Sequence, residues 1–117
     1  MTNEHVDVLI IGAGLSGIGT AVHLSQNCPD KRIAILERRQ QVGGTWDLFR
    51  YPGIRSDSDM FSFGFAFRPW NELKTLADGE SIRRYISDTA REYGVEEKIR
   101  FGVETEQVQW CSEQQQW

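Results

Sequence analysis

The sequence predicts an α/β fold built on a parallel sheet, and three observations support that prediction. A short apolar run over residues 6–11 leads directly into a glycine-rich turn. A segment with helical periodicity follows, and a second apolar run over residues 33–36 ends on an acidic residue. Two strands joined by a helix lie parallel, because the crossover returns the chain to the same end of the sheet. Residues 6–37 therefore predict one strand–helix–strand unit.

The turn after the first apolar run has the spacing Gly-x-Gly-x-x-Gly. We expect Gly12 to allow the tight turn, Gly14 to let a pyrophosphate approach the backbone, and Gly17 to let the helix pack against the strand. The start of the helix offers free N–H groups and a partial positive charge to the phosphates. Ser16, inside the same motif, is included among the expected cofactor-binding residues.

Glu37 closes the second apolar run, about 20 residues beyond Gly17, where a carboxylate can accept hydrogen bonds from the hydroxyls of an adenosine ribose. Arg38 and Arg39 raise the alternative of a site for a 2′-phosphate, which the negative charge of Glu37 would repel. A glycine-rich turn can also be purely structural. Here strand, turn, helix, second strand and acid are all in register, so the unit predicts the binding of an adenine dinucleotide.

Composition narrows the function classes. The chain has 117 residues, a formal net charge of -4 and a pI near 5.1. No basic cluster is larger than residues 31–32 or 38–39, so we expect no nucleic-acid partner. The first apolar run is short and is not preceded by positive charge, which fits neither a secretory signal nor a membrane span and predicts a cytoplasmic location. Cys28 and Cys111 form no CxxC pair, so we expect two free thiols and no metal site.

Periodicity predicts the remaining elements. The first helix is expected over residues 15–26, and a second amphipathic helix over residues 80–93. Residues 38–77 are irregular and rich in glycine and aromatic residues, which predicts a long functional excursion without regular secondary structure. Alternating apolar residues over 99–103 predict a third strand in the same parallel sheet. Another alternating run begins at residue 108.

Four phenylalanines alternate with small residues inside the irregular segment. If this stretch is extended, all four rings share one face. Core filling is the favoured interpretation, and the lining of a substrate channel is the alternative. The residues are Phe61, Phe63, Phe65 and Phe67.

Residues 43–57 read GGTWDLFRYPGIRSD, a string that is far more specific than the glycine turn. Gly43 and Gly44 would let the backbone approach a flat, charged ligand, and Trp46 offers a rigid apolar wall; an ordinary turn and a core position are the competing interpretations. With this string in view, the chain closely resembles the N-terminal part of a flavin-containing Baeyer–Villiger monooxygenase, of the ethionamide-activating type within the flavin monooxygenase superfamily. The resemblance covers essentially the whole chain.

This resemblance implies a Rossmann-like FAD-binding fold, incomplete at its C-terminus. It implies FAD and NADPH as cofactors, and a C4a-peroxyflavin that inserts one oxygen atom from O2 into ketones or oxidises sulfur or nitrogen. A small-molecule substrate and O2 are therefore the expected partners, while the identity of the substrate and the oligomeric state stay open. Disulfide reductases with the same FAD fold carry a cysteine where Trp46 stands, which argues against that class.

The resemblance also implies roles for individual residues. The flavin and its ribityl chain would be lined by Thr45, Trp46, Asp47 and Leu48, and Gly44 is expected to bind the cofactor through the close approach of its backbone. Asp57 would orient a catalytic arginine near the flavin and nicotinamide, while Arg55 and Ser56 would border the NADP site. The alternative for Asp57 is the cap of a turn. Thr105 stands where relatives place an apolar residue whose backbone touches the adenine.

Enzymes of this type also need an FxGxxxHxxxW-like motif, a second glycine fingerprint and a catalytic arginine, none of which occurs in the sequence. We therefore expect residues 1–117 to be the N-terminal part of an FAD-binding domain, with the NADPH-binding domain absent and with little activity alone. Two other functions stay open, a non-catalytic dinucleotide-binding fragment and a different FAD-dependent oxidoreductase.

Overall fold

The computed structural model describes residues 4–117, and a three-stranded parallel sheet forms its centre. β1 (Val8–Ile11) pairs with β2 (Ile33–Glu37), which pairs on its other side with β3 (Ile99–Phe101). The predicted α/β class with a parallel sheet is therefore confirmed. β3 ends sooner than the alternation predicts because the chain turns at Gly102, whose φ of 71° favours glycine.

The parallel register decides which side chains share a face of the sheet. Ile10 pairs with Ile35, and Ile35 pairs with Ile99, so the three isoleucines form a row on one face. Because side chains alternate along a strand, Leu9 and Ile11 point to the other face, where they are 47% and 55% exposed. The hydrophobic core therefore lies on the isoleucine face.

Helices α1 (Leu15–Asn27) and α4 (Gly79–Glu92) contact each other and bury their apolar sides in this core. Both predicted helices are confirmed, with ends that agree to within one residue. After its first residue, Gly79, which is also buried, α4 buries Ile82, Tyr85, Ile86, Thr89 and Ala90. This spacing is the one that the helical periodicity of the sequence requires.

The excursion between β2 and α4 contains two helices of one turn each, α2 (Thr45–Leu48) and α3 (Met60–Phe63). The prediction of no regular structure in this segment is therefore wrong at these two places. Asp59 caps α3, since its carboxylate accepts the backbone N–H of Ser62 at 3.0 Å. Short helices of this kind have too few turns to leave a periodic signal in the sequence.

The phenylalanine stretch is not extended, and its expected common face is wrong. Phe61 and Phe63 belong to α3, and Phe61 is 72% exposed. Phe63, Phe65 and Phe67 pack against the core, and the rings of Phe65 and Phe67 stack with their centroids 4.7 Å apart. Core filling is therefore confirmed for three of the four rings, and the helix explains why the first ring faces outward.

The C-terminal residues 104–117 form no further strand of the sheet. Within the described part of the chain, their only strand-like pairing joins Cys111 to Gln116. The alternating run from residue 108 therefore does not become the strand that it suggests. Cys28 and Cys111 are free thiols. Over residues 4–117, no helix has the length and apolar character that crossing a membrane would require.

Candidate functional site

A cleft of about 390 Å³ lies where β1 and β2 end and α1 begins. The carboxyl ends of parallel strands are the usual binding edge of such sheets. The cleft is lined by Ile11, Gly12, Gly14, Leu36, Glu37, Arg38, Arg39, Gly44, Thr45, Leu48, Val103, Glu104 and Thr105. The structure thus brings together seven residues that the sequence predicts as cofactor-binding, namely Gly12, Gly14, Glu37, Gly44, Thr45, Leu48 and Thr105.

The glycine turn needs glycine for two separate reasons. Gly12 has a φ of 104°, in the region that side chains disfavour. Gly17 lies inside α1, and a Cβ there would be 2.0 Å from the carbonyl oxygen of Gly12. Any side chain at Gly17 would push the helix away from the turn. Ser16 is exposed on the first turn of α1 and does not line the cleft.

Glu37 lies at the mouth of the glycine turn. Its side chain is buried, with 5% of the residue exposed. Oε1 accepts the backbone N–H of Ala13 at 2.9 Å, and Oε2 accepts the backbone N–H of Arg39 at 2.9 Å. Each carboxylate oxygen can accept more than one hydrogen bond, so both retain capacity toward a ligand in the cleft. These contacts hold the carboxylate at the end of β2 in a fixed orientation.

The GGTW segment forms the opposite wall of the cleft. Gly43 donates its backbone N–H to the carbonyl of Ala13 at 3.0 Å, and a Cβ on Gly14 would be 3.6 Å from the Cα of Gly44. Thr45 and Leu48 line the cleft on this side. The absence of side chains at the two facing glycines therefore lets two backbone segments approach closely around one space.

Trp46 and Asp47, although part of the same segment, do not line this cleft. Trp46 is half-buried and packs edge-to-face on Phe63, with ring centroids 6.0 Å apart. It lines a second cavity of about 720 Å³. One turn of helix places consecutive side chains on different sides of α2, so the residues expected around one flavin do not share one space: Thr45 and Leu48 line the cleft, Trp46 lines the second cavity, and Asp47 lines neither.

Asp47 is buried, 4% exposed, and its carboxylate bridges two arginines. Oδ2 accepts Nε of Arg39 at 2.7 Å, and Oδ1 accepts Nη2 of Arg50. Burial alone would raise the pKa of Asp47, but the hydrogen bonds and charges of Arg39 and Arg50 outweigh it and hold the pKa below its ordinary value. This bridge was not predicted from the sequence. Its only sign there is an acid that follows one arginine by 8 residues and precedes another by 3.

The second cavity collects charged residues from the RYPG segment and from the start of α4. Arg50, Arg55 and Lys74 line it together with the acids Asp78 and Glu80. The hydrogen bond from the Ser81 hydroxyl outweighs the effect of burial and holds the pKa of Asp78 below its ordinary value.

Ser56 and Asp57 follow Arg55 in the sequence but, unlike Arg55, do not line this cavity. Asp57 is exposed. Ser56 is buried, and its hydroxyl both donates to the carbonyl of Ser58 and accepts the N–H of Ser58 in a tight local turn. The side chain that caps the following helix is that of Asp59, not that of Asp57.

Thr105 lines the cleft from the segment that follows β3. Its Oγ1 is buried, and among the described residues no atom forms a hydrogen bond with it. A buried hydroxyl without a partner costs free energy, so such a group calls for an explanation. The orphan hydroxyl, the glycine backbone and the free capacity of Glu37 together fit a polar, phosphate-bearing ligand such as an adenine dinucleotide. Leu36, Val103 and Glu104, which were not singled out from the sequence, complete the walls.

Comparison with known proteins agrees with this geometry. Residues 10–78 match the family model of the NAD(P)-binding Rossmann-like domain. The FAD-containing monooxygenase MymA of Mycobacterium tuberculosis is 65% identical over 115 residues, which are 98% of this chain and 23% of MymA. EthA, an FAD-containing monooxygenase of the same species, is 52% identical over 97% of this chain and 23% of EthA. The chain thus spans about a quarter of the length of these relatives.

Solved structures show the same similarity. Cyclohexanone monooxygenase, with cyclohexanone bound, superposes with a TM-score of 0.86 at 26% identity, over 97% of this chain and 23% of that one. OTEMO in complex with FAD and NADP superposes with a TM-score of 0.84 at 26% identity, over 96% and 22%. The resemblance predicted from the GGTW string is confirmed. The chain belongs to the NAD(P)-binding Rossmann-like domain family and is a relative of the FAD-containing monooxygenases.

Proposed function

We propose that this chain supplies the adenine-nucleotide part of the FAD site in an FAD- and NADPH-dependent monooxygenase. The observation that carries the proposal is the position of Glu37, which is buried at the mouth of the glycine turn and hydrogen-bonded to Ala13. The FAD and NADP bound to OTEMO, at a TM-score of 0.84, support the choice of cofactors. The reaction class would be the transfer of one oxygen atom from O2 to a ketone, or to sulfur or nitrogen.

Each part of the dinucleotide has a matching part of the cleft. Backbone N–H groups at the start of α1 would hold the diphosphate, since Gly12 and Gly14 leave the backbone open to it. Glu37 would accept hydrogen bonds from the ribose hydroxyls. Thr105 would meet the adenine, and its Oγ1 would gain the partner that it lacks within the described residues. Bound FAD would supply the oxygen-activating chemistry, and the protein the orientation.

The second cavity is proposed to face the flavin and the nicotinamide. Trp46 presents a flat apolar surface there, and Arg55 a positive charge suited to a phosphate. Ser56 would shape the adjoining backbone through its turn with Ser58. Asp57 is exposed, which leaves its carboxylate free to orient an arginine supplied by another part of the protein.

The domain assignment is also a proposal. Residues 1–117 would form part of an FAD-binding domain, and the NADPH-binding domain would be another part of the same protein. The relatives support this division, because the chain spans only 23% of MymA. A cytoplasmic location stays a prediction of the sequence.

The test uses the full-length protein and the variant Glu37→Ala. We expect the wild type to purify with FAD, to oxidise NADPH and to release an oxygenated product from a ketone or sulfide. The variant should bind FAD more weakly by about 1–3 kcal/mol, because the ribose hydroxyls lose their acceptor. Flavin titration by fluorescence measures the dissociation constant.

Glu106→Ala provides the matched control, since Glu106 is an exposed acid that does not line the cleft. Its dissociation constant for FAD should equal that of the wild type. A full-length protein without flavin, or equal FAD affinity in the Glu37 variant and the wild type, would contradict the proposed site. Flavin binding with NADPH oxidation but no oxygenated product would point instead to a different FAD-dependent oxidoreductase.

A further inference from the structure

Two arginines follow Glu37 directly, and they differ in their ion pairing. Arg38 and Arg39 both line the cleft. Arg38 is exposed, and within residues 4–117 it belongs to none of the ion pairs. Arg39 donates Nε to the Asp47 carboxylate at 2.7 Å and Nη2 to the Asp47 carbonyl at 3.5 Å. The Arg38 guanidinium is therefore free to meet a ligand, whereas the Arg39 guanidinium is held by Asp47 through Nε and Nη2, which leaves only its Nη1 without a hydrogen bond among the described residues.

Asp47 is well placed to hold Arg39. Its side chain is 5% exposed, and its second oxygen is engaged by Arg50, which also donates Nε to the Asp47 carbonyl at 3.0 Å. Arg50 in turn lies 3.8 Å from Glu80. A buried carboxylate with two charge-assisted partners is strongly held, so it fixes the orientation of Arg39 and offsets part of its positive charge, the remainder of the carboxylate charge being shared with Arg50.

This arrangement matters for phosphate recognition, because arginine binds phosphate through paired N–H donors and full positive charge. A 2′-phosphate on the ribose would lie near Glu37, which repels it. With Arg39 paired to Asp47, Arg38 alone would oppose that repulsion. With Arg39 released, two adjacent guanidinium groups would face the same phosphate.

We infer that Asp47 is a specificity-determining positioning residue, which makes this cleft select adenine nucleotides with a free ribose 2′-hydroxyl by withholding Arg39 from a 2′-phosphate. The inference rests on the proposed function, because it takes the cleft to be an adenine-nucleotide site. It adds a role for the Asp47 side chain that acts through Arg39 rather than through contact with the nucleotide.

The experiment compares two probes on the full-length protein freed of bound nucleotide. The probes are adenosine 5′-diphosphate and the same molecule with a 2′-phosphate. Each probe competes with added FAD, and the displacement of FAD, followed by flavin fluorescence, measures the dissociation constant at this cleft rather than at the NADPH site of the protein. We expect the wild type to prefer the probe without the 2′-phosphate. Asp47→Asn should shift the ratio of the two affinities toward the 2′-phosphorylated probe by about tenfold, the size expected when a charged hydrogen-bonding partner becomes available.

Two variants separate this mechanism from a general change of charge. Asp30→Asn changes the net charge by the same amount, but Asp30 is an exposed residue before the start of β2, at the end remote from the cleft. It should leave the ratio unchanged. Arg39→Met in the Asp47→Asn background should remove the gained affinity for the 2′-phosphate, whereas the gain would persist if Arg39 were not its source.

The outcomes are distinct. An unchanged ratio in folded Asp47→Asn protein overturns the inference but leaves the nucleotide site standing. Failure of the wild type to bind adenosine diphosphate overturns the proposed site itself. If Asp47→Asn does not fold, the single variant Arg39→Met tests the inference. If Asp47 keeps Arg39 from the 2′-phosphate, the ratio of the two probe affinities in this variant stays within about twofold of the wild-type ratio. A larger loss of affinity for the 2′-phosphorylated probe in that variant would show that Arg39 already reads the phosphate, and the inference would be wrong.

Discussion

The strand–helix–strand unit of residues 8–37 and the irregular segment of residues 38–78 build the same cleft by different means. In the first unit, periodicity and glycine spacing specify each element, so local sequence alone indicates the geometry. In the second, two one-turn helices are held by contacts with distant residues, such as the hydrogen bond from Met60 to the carbonyl of Thr75. The cleft therefore combines a locally specified wall with one that depends on tertiary contacts.

The largest effect is expected for Gly17→Ala, which tests the geometry of the strand–helix–strand unit. A Cβ at Gly17 would be 2.0 Å from the Gly12 carbonyl oxygen, so helix and turn would have to separate. We expect a loss of about 3 kcal/mol or more in the free energy of unfolding, or failure to fold. Gly53→Ala is the control, because its φ is 84° but no atom lies within 4 Å of the added Cβ. Urea denaturation of both variants measures the difference, and equal losses would contradict the steric account.

Met60→Ala tests whether the irregular segment is part of the packed core. Met60 is 0% exposed, although it lies in the helix that the sequence did not predict. Removing its side chain should cost about 2–5 kcal/mol in the free energy of unfolding. Phe61→Ala, at a neighbouring exposed position, should change it by less than about 0.5 kcal/mol. Thermal unfolding distinguishes the two, and a neutral Met60 variant would show that the segment does not share in the core.

Asp59→Ala and Asp57→Ala separate a structural role from a site role within residues 55–59. The Asp59 carboxylate accepts the backbone N–H and the hydroxyl of Ser62, so its removal should cost about 1 kcal/mol in the free energy of unfolding. Asp57→Ala should leave stability unchanged while lowering turnover in the full-length protein. Paired measurements of unfolding and of NADPH-dependent oxygenation check both statements. A stability loss at Asp57 would assign that residue a structural role instead.

Thr105→Val gives the smallest expected effect and tests the wall contributed by the chain beyond β3. Because Oγ1 of Thr105 has no partner within the described residues, its removal should leave the nucleotide-free protein as stable as before or more stable by up to about 1 kcal/mol. FAD should bind more weakly by about 1 kcal/mol. Thermal shifts with and without FAD measure both quantities. A drop in the stability of the nucleotide-free protein would show that the Thr105 hydroxyl already has a stabilising partner.

The first wall could be predicted because each of its features has a short-range cause. Glycines at fixed spacing, a helical apolar stripe and an acid after β2 determine their own surroundings, and Glu37 indeed meets Ala13. The separation of Trp46 from the cleft could not be predicted. It follows from the single turn of α2, a structure too short to leave a periodic pattern.

The bridge of Asp47 to Arg39 and Arg50 was also outside the reach of sequence patterns. Opposite charges near each other in a chain are common, and only burial makes this group significant. The phenylalanine stretch illustrates the same limit, because its alternation suits a strand until the cap at Asp59 starts a helix. Tertiary contacts overrode local preference in both cases.

The backbone of Ala13 joins three segments, since its N–H donates to the Glu37 carboxylate and its carbonyl accepts the N–H of Gly43. The walls of the cleft are therefore assembled during folding rather than by the arriving ligand. A receptor that is preorganised in this way spends little conformational entropy on association. The backbone amide hydrogens of Ala13 and Gly43 should for the same reason be among the slowest at this edge of the sheet to exchange with deuterium.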